Sequence, residues 1–141
     1  GWRIGWSIAP AALSKVIDDL QSQQTSNPCS ISQHAAIAGL TGPQDSVTAM
    51  HAEFVKRRAY VLERFRKIPG VSFAEPGGAF YMFPKAPIGT GTEFVHRAIE
   101  QNLLIIPGNI FSRRDTHFRI AYAADDRILE RGIEVLRKLA N

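Results

Sequence analysis

Apolar and polar side chains alternate at the start of the chain. Over residues 1–8, Trp2, Ile4 and Trp6 fall on one face and small or polar residues on the other, a pattern typical of a half-buried strand. After Pro10, the apolar positions change to the helical spacing i, i+3, i+4 and i+7, at Leu13, Val16, Ile17 and Leu20. The sequence therefore predicts a strand followed by a helix.

A second helix is predicted after a polar stretch. Ser30-Ile31-Ser32-Gln33 has the spacing of a capping box, in which a hydroxyl and an amide satisfy free backbone donors at the helix start. Small residues follow, so we expect the helix to pack closely against its neighbours: Ala35, Ala36, Ala38 and Gly39. Gly42-Pro43 is expected to end it.

A longer helix is predicted from about Asp45 to Ile68. Its apolar positions step by threes, fours and sevens: Val47, Met50, Phe54, Val61, Phe65 and Ile68. Helices of this length often bridge two lobes of a protein, so a domain boundary is expected near residues 42–46. The prediction is one part over residues 1–44 and another over 45–141.

The rest of the chain alternates short strand and helix patterns. Strands are predicted at Val71-Ser72-Phe73 and over 79–83, 103–106 and 118–123. A helix over 92–102 follows a possible capping box from Thr90 to Glu93, and Asp125 is expected to cap a last helix. That helix should bury Ile128, Leu129, Ile133, Leu136 and Leu139. This order predicts an α/β fold (an α+β sandwich) in which helices cover a small mixed sheet, preceded by a strand and two helices.

Composition and charge narrow the class of protein. The 141 residues are 45% apolar and 21% charged, no run is long enough for a membrane span, and no signal-peptide pattern opens the chain. The single Cys29 cannot form an intramolecular disulfide, which favours a cytoplasmic setting. The net charge of +4 could indicate an acidic partner, but the densest basic groups lie within the long helix and are expected to be its solvated face. We therefore predict no nucleic acid and no membrane partner.

Two arginines have an unusual context. On their predicted strands, Arg3 shares a face with Gly5 and Ser7, and Arg119 shares one with Ala121 and Ala123. A strand that presents an arginine among small neighbours can bind a carboxylate or phosphate with two hydrogen bonds. An ordinary outward-facing charge on an edge strand is the alternative that the pattern leaves open.

Four motifs, in order along the chain, resemble segments of the class I/II aminotransferases, which are pyridoxal-phosphate (PLP) enzymes of fold type I. They are Gly1-Trp2-Arg3-Ile4-Gly5-Trp6, Ser26-Asn27-Pro28, Pro76-Gly77-Gly78-Ala79-Phe80-Tyr81, and Pro107-Gly108 followed by Phe118-Arg119-Ile120-Ala121-Tyr122. The resemblance covers nearly the whole chain. It implies that residues 1–44 are the tail of the large PLP-binding domain and that residues 45–141 are the C-terminal small domain.

The resemblance also implies roles for single residues. Arg3 would bind the cofactor phosphate, and Arg119 would bind the α-carboxylate of the amino acid substrate. Ser26 and Asn27 would lie close to the active site, which could be that of a partner subunit, and Phe80 or Tyr81 would line the substrate pocket. The implied reaction moves an amino group from an amino acid to a 2-oxo acid, in a homodimer.

The Schiff-base lysine of that family precedes the Gly-Trp-Arg segment, so the resemblance places no catalytic residue in this chain. The obvious substitutes are Lys15, on a helix, and Lys85, in a loop flanked by prolines, and neither resembles a buried Schiff-base site. We therefore expect this chain alone to bind no PLP and to have no transaminase activity. The stretch from Gln21 to Thr25 lacks the arginine that some relatives use for dicarboxylic substrates.

Several alternatives remain. Other PLP enzymes or regulators share the scaffold, so the chain could belong to one of them. A basic α/β binding module is a further, less favoured hypothesis. The four histidines have no metal-ligand spacing, so no metal site is predicted. Gly89-Thr90-Gly91-Thr92 could hold a phosphate but is more typical of a flexible loop, and Cys29 is expected to be a small packed thiol.

Overall fold

A computed structural model of the protein describes residues 3–141, which contain five α-helices and three short strands. The helices are α1 (Ala11–Gln24), α2 (Ser30–Thr41), α3 (Asp45–Phe65), α4 (Gly91–Glu100) and α5 (Asp126–Leu139). The strands are β1 (Tyr81–Met82), β2 (Ile106–Pro107) and β3 (Phe118–Ala121), and a 3₁₀ turn spans Gly108–Ile110. Two compact units divide the chain, the first ending at Ser46 and the second running from Val47 to Asn141.

The first unit consists of α1, α2 and their connections. The predicted strand is wrong for the described residues 3–8, which have no regular secondary structure. A strand requires a neighbour for its ladder of hydrogen bonds, and none of the described residues supplies one to this segment. Gly1 and Trp2 lie outside the described residues. No described residue of this unit is buried, so the close packing expected of α2 is absent there.

The start of α2 also differs from its prediction. The cap position is Cys29, one residue earlier than expected, and no side chain caps the helix. The Gln33 amide nitrogen donates to the Pro28 carbonyl at 2.9 Å, which is not the reciprocal contact of a capping box. Ser30 is thus the first residue of the helix and not its cap.

Helix α3 ends at Phe65, three residues before its predicted end. Its stripe of apolar residues divides into two parts. Val61, Phe65 and the following Ile68 are buried, whereas Val47 and Met50 are 56% and 59% exposed. The fully buried side chains of this helix therefore lie in its last turns, and Phe54, nearer its middle, packs against the core as a partly buried side chain.

The sheet of the second unit has the order β1-β3-β2, with both pairings antiparallel. Tyr81 pairs with Ala121 on one side of β3, and Ile106 pairs with Arg119 on the other. The segment Val71–Phe73, predicted as a strand, makes one local backbone contact, from the Val71 N–H to the Ile68 carbonyl at 3.4 Å, and one contact to a distant residue, in which Ser72 accepts from Lys85 at 2.8 Å. One hydrogen bond does not form a ladder, so this segment is a loop.

The core of the second unit lies between this sheet and the helices. Its largest fully buried side chains are Tyr122, Phe65, Phe94, Phe118 and Met82. Helix α5 contributes Leu129 and Leu136, but Ile128, predicted to face the core, is 59% exposed. Helices on a small sheet confirm the predicted α/β class.

Two predicted helix caps are confirmed in this unit. Thr90 and Glu93 form a capping box at the start of α4, and the Asp125 carboxylate accepts from the Ile128 N–H at 2.9 Å at the start of α5. No helix within residues 3–141 has the length and apolar character needed to cross a membrane.

Candidate functional site

Strand β3 presents Arg119 on the face of the sheet opposite the core. The strand alternates as predicted, because Phe118, Ile120 and Tyr122 are buried with exposures of 0%, 8% and 0%. Arg119 points the other way and is half-buried. The buried side chains therefore anchor the strand and fix the direction in which the arginine emerges.

Two aromatic rings flank the Arg119 guanidinium. Its central carbon lies 4.4 Å from the centre of the Tyr81 ring and 4.5 Å from that of Phe111. The expectation that only small side chains surround Arg119 is therefore wrong. Its neighbours along β3 are small, but Tyr81 reaches it from β1 and Phe111 from the segment after the 3₁₀ turn. Arginine over an aromatic face is a favourable cation–π arrangement.

Arg119 has no acidic partner among the described residues. Every ion pair found there joins other side chains. A guanidinium that is half-buried, covered by rings and unpaired retains its N–H donors for an external anion. A planar carboxylate matches two of these donors at once.

The aromatic surface continues beside Arg119. The Phe83 ring stacks on His117 with centroids 5.2 Å apart and meets Phe111 edge-on at 6.1 Å. The His117 Nδ1 atom lies 2.8 Å from the Thr116 hydroxyl. We name Tyr81, Phe83, Phe111 and His117 together the aromatic face.

Gly108 brings Phe111 into this arrangement. The Gly108 N–H donates to the His117 carbonyl at 2.7 Å, and a Cβ at Gly108 would lie 2.6 Å from that same oxygen. Only glycine permits so close an approach of the 3₁₀ turn to β3. The Phe111 N–H then donates to the Gly108 carbonyl at 2.9 Å, which fixes the next residues above the sheet.

The predicted anion-binding Arg3 lies in the first unit. It is exposed, and it has no acidic partner among residues 3–141. A groove of about 610 Å³ is lined by Arg3, Ile4, Gly5, Trp6, Ser7, Ile17, Gln21 and Pro28. Half of these lining residues are apolar, and Arg3 is the cation among them that could bind a phosphate.

The Ser26-Asn27-Pro28 segment forms a turn between α1 and α2. Ser26 has a φ of 64°, and the Asn27 N–H donates to the Thr25 carbonyl at 2.9 Å. The Asn27 side chain is exposed. The structure thus brings together Tyr81 and Arg119 among the predicted site residues, while Arg3 and Asn27 belong to the other unit.

Cys29 is exposed, which corrects the expectation of a packed thiol. Backbone hydrogen bonds from Ser32 and Ile31, at the start of α2, lower the pKa of its thiol. A lone thiol with no base beside it does not make a catalytic site.

The lysines do not provide a buried amine. Lys15 pairs with Asp19 at 3.3 Å and its side chain is 77% exposed. Lys85 is also exposed, as are Lys56, Lys67 and Lys138. A Schiff-base lysine functions in a desolvated environment, and none of these side chains has one.

The loop before α4 is not a phosphate cradle. The Gly91 N–H donates to the Asp115 carbonyl at 3.0 Å, and the Thr92 N–H donates to the Asp115 carboxylate at 2.9 Å. The remaining donors serve the capping box of Thr90 and Glu93. These contacts use the backbone donors that an anion would need.

The basic residues of α3 and of the turn that follows it are largely paired with acids. Arg57 contacts Glu53 at 3.0 Å, Lys67 contacts Glu63, and Arg66 contacts Glu75. These pairs agree with a solvated helix face. Within residues 3–141, no group of three or more His, Cys, Asp or Glu side chains is placed to hold a metal ion.

Phe111 is the site residue that sequence reasoning missed. It stands eight residues before Arg119 in a segment without helical or strand periodicity. The sequence predicts a turn at Pro107-Gly108, but no pattern in it indicates that this turn places Phe111 against Arg119. Only the close approach of Gly108 to His117 establishes that contact.

Comparison with known proteins points to one family. Residues 1–136 match the family described as aminotransferase class I and II. The aspartate aminotransferase of Geobacillus stearothermophilus is 37% identical, over 98% of this chain and 37% of its own length. The aspartate/prephenate aminotransferase of Cereibacter sphaeroides is 34% identical, over 92% of this chain and 35% of its own.

Solved structures agree with this match. The crystal structure of an aspartate aminotransferase from Thermotoga maritima has a TM-score of 0.87 and 29% identity, and covers 97% of this chain and 35% of that one. This chain thus spans a little over a third of the length of the relatives that it matches.

Proposed function

This chain belongs to the class I and II aminotransferase family, and from that premise we propose that the protein containing it transfers an amino group from an amino acid to a 2-oxo acid with PLP as cofactor. The observation that carries the proposal is the unpaired Arg119, held on a rigid strand between Tyr81 and Phe111. In this role Arg119 binds the α-carboxylate of the substrate. A fixed carboxylate orients the α-carbon for proton transfer.

The described residues fit part of a PLP site. Arg3 is an exposed cation without an acidic partner among residues 3–141, and it would neutralise the cofactor phosphate. When bound, PLP supplies an electron sink for the bond that breaks at the substrate's α-carbon. The amine that anchors PLP is not offered by any of the five lysines, because all are exposed. We therefore propose that this chain alone is inactive.

The remaining site residues have supporting roles in this proposal. Tyr81 lies against the guanidinium and would limit the space beside the substrate carboxylate. Asn27 has an exposed side chain next to the left-handed turn at Ser26 and would offer its amide to substrate or cofactor. We also propose a homodimer in a cytoplasmic setting; the exposed single Cys29 is compatible with a reducing environment.

Aspartate is the first amino donor to test, because the relatives above are named aspartate or aspartate/prephenate aminotransferases. The full-length protein loaded with PLP should convert aspartate and 2-oxoglutarate at a measurable rate. Arg119→Lys should lower kcat/KM by about a hundredfold or more, because an ammonium cannot reproduce the bidentate contact.

Arg127→Lys, on the exposed surface of α5, is the matched control and should leave kcat/KM unchanged. If the wild-type protein transfers no amino group from aspartate or other amino acids, the proposed function is wrong. If Arg119→Lys retains full kcat/KM with an active wild type, the carboxylate role of Arg119 is wrong.

A further inference from the structure

Phe111 is an aromatic residue that the core does not require. Its side chain is 49% exposed, and it lies outside the cluster of buried residues that forms the core of the second unit. Its ring lies 4.5 Å from the Arg119 guanidinium and meets the Phe83 ring nearly at right angles, with the centroids 6.1 Å apart. A ring whose main contact is a cation needs an explanation other than apolar packing.

The backbone holds this ring in place. Gly108 donates to the His117 carbonyl and accepts from the Phe111 N–H, so Phe111 is tied through one short turn to the strand that bears Arg119. Phe83, itself stacked on His117, supports the ring from the side. The position of Phe111 over the guanidinium is therefore built into the backbone of β3 and of the turn before it.

An arginine side chain loses conformational freedom when it binds a ligand. Immobilising such a side chain at an interface costs about 0.5–1.5 kcal/mol, which corresponds to about a twofold to twelvefold loss of affinity. A ring that already restrains the guanidinium removes much of that cost before the ligand arrives. It also covers part of the cation from water and leaves the N–H groups along its edge as donors.

We infer that Phe111 is a positioning residue, which holds the Arg119 guanidinium in the orientation that binds the substrate carboxylate. The inference rests on the proposed function, in which Arg119 is the carboxylate receptor. Phe111 does not touch the substrate in this role. It acts through Arg119, and its removal should weaken the binding of any ligand held by its carboxylate.

The test uses the full-length, PLP-loaded protein and butyrate, a carboxylate without an amino group, as a competitive inhibitor. Phe111→Ala should raise the inhibition constant of butyrate by about twofold to twelvefold, the range set by the side-chain ordering cost. Phe111→Tyr keeps the ring and should restore the wild-type value. Ile110→Ala is the matched control, because Ile110 is adjacent and 69% exposed.

A second measurement needs neither cofactor nor turnover. In the cofactor-free protein, the side-chain N–H signal of Arg119, assigned by its loss in Arg119→Lys, should be shifted upfield by the overlying rings. Phe111→Ala should reduce that shift, and Phe111→Tyr should retain it. A purely structural loss of stability in Phe111→Ala would change signals throughout the protein, whereas the positioning role changes the signal of Arg119.

The outcomes separate this inference from the function on which it rests. An inactive wild type overturns the proposed function. An active wild type whose Arg119→Lys variant has unchanged kinetics overturns the carboxylate role of Arg119, and with it the positioning role of Phe111. An active wild type with an impaired Arg119→Lys variant, but with the same butyrate inhibition in Phe111→Ala, overturns the positioning role alone. An unchanged Arg119 signal in Phe111→Ala does the same.

Discussion

Helices α1 and α5 are both fourteen residues long and both carry apolar side chains at helical spacing. In α5, in the second unit, Leu129 and Leu136 are 7% and 3% exposed. In α1, in the first unit, Leu13 and Leu20 remain 52% and 57% exposed. The same kind of sequence pattern therefore produces a core helix in one unit and an uncovered apolar stripe in the other.

The difference shows what periodicity alone does not specify. A 3.6-residue period establishes that an apolar face exists, but burial requires a second surface of matching shape. In the second unit that surface is supplied by α4 and the other residues of the core cluster. The first unit lacks one among the described residues, and an apolar face of this kind is typical of an interaction surface.

The largest predicted contrast comes from removing one apolar side chain in each unit. Phe65→Ala should lower the free energy of unfolding by about 3–5 kcal/mol, because Phe65 is fully buried and its loss leaves a cavity. Leu20→Ala should cost less than about 1 kcal/mol, because Leu20 is more than half exposed. Urea denaturation of both variants measures the difference. Equal losses would mean that α1 is covered in solution.

Glycine substitutions should have opposite signs in the two units. A Cβ at Gly91 would lie 2.2 Å from the His117 carbonyl oxygen, so Gly91→Ala should destabilise the protein by about 1–3 kcal/mol. A Cβ at Gly39 would meet nothing within 4 Å, and Gly39→Ala should stabilise α2 by about 0.5–1 kcal/mol. Thermal unfolding monitored by circular dichroism checks both. A destabilising Gly39→Ala would indicate that α2 packs closely against another surface.

Substitutions at the helix starts compare the two units through smaller changes in the free energy of unfolding. Thr90→Ala removes the hydroxyl of the capping box at α4 and should cost about 1 kcal/mol. Ser30→Ala at α2 should change the free energy of unfolding by less than about 0.5 kcal/mol, because the Ser30 side chain caps nothing. Guanidinium denaturation distinguishes the two. A loss at Ser30 as large as that at Thr90 would show that α2 is capped after all.

The smallest predicted effect depends on pH and belongs to the second unit. Burial raises the pKa of Tyr122, whose hydroxyl donates to the Ala79 carbonyl at 2.9 Å. The folded protein therefore keeps this hydroxyl protonated at a pH where the unfolded chain, with an ordinary pKa of about 10, ionises. The stability from this group is present below about pH 10 and is lost as the pH rises towards the raised value. Tyr122→Phe should flatten the decline measured between about pH 9 and 11, and an unchanged slope would contradict this account.

The accuracy of the sequence predictions depends on how local each feature is. The Thr90 and Asp125 caps were identified because the residues that form each cap are three apart in sequence. The strand over residues 3–8 was wrong because pairing depends on a neighbour that no local pattern reveals. Ile128 and Leu129 were both predicted to be buried, but only Leu129 is. Helical spacing defines the buried face of α5 only to within one position.

The candidate site was also predicted only in part. Alternation along β3 correctly set Arg119 opposite Phe118 and Ile120. The two rings that flank Arg119 could not be derived in the same way. The contact of Tyr81 depends on strand register, and that of Phe111 depends on the approach of the Gly108 turn to His117.

The sheet order has a consequence for how this site forms as the chain is synthesised. The central strand β3 is the last of the three in sequence, and both edge strands pair only with it. Tyr81 therefore has no neighbour in the sheet until Ala121, its pairing partner forty residues later, has been synthesised. Contacts between distant residues are slow to form because the intervening loop must first close. The aromatic face and the arginine that it flanks can therefore come together only after β3, and with it helix α4 and the 3₁₀ turn, has been synthesised.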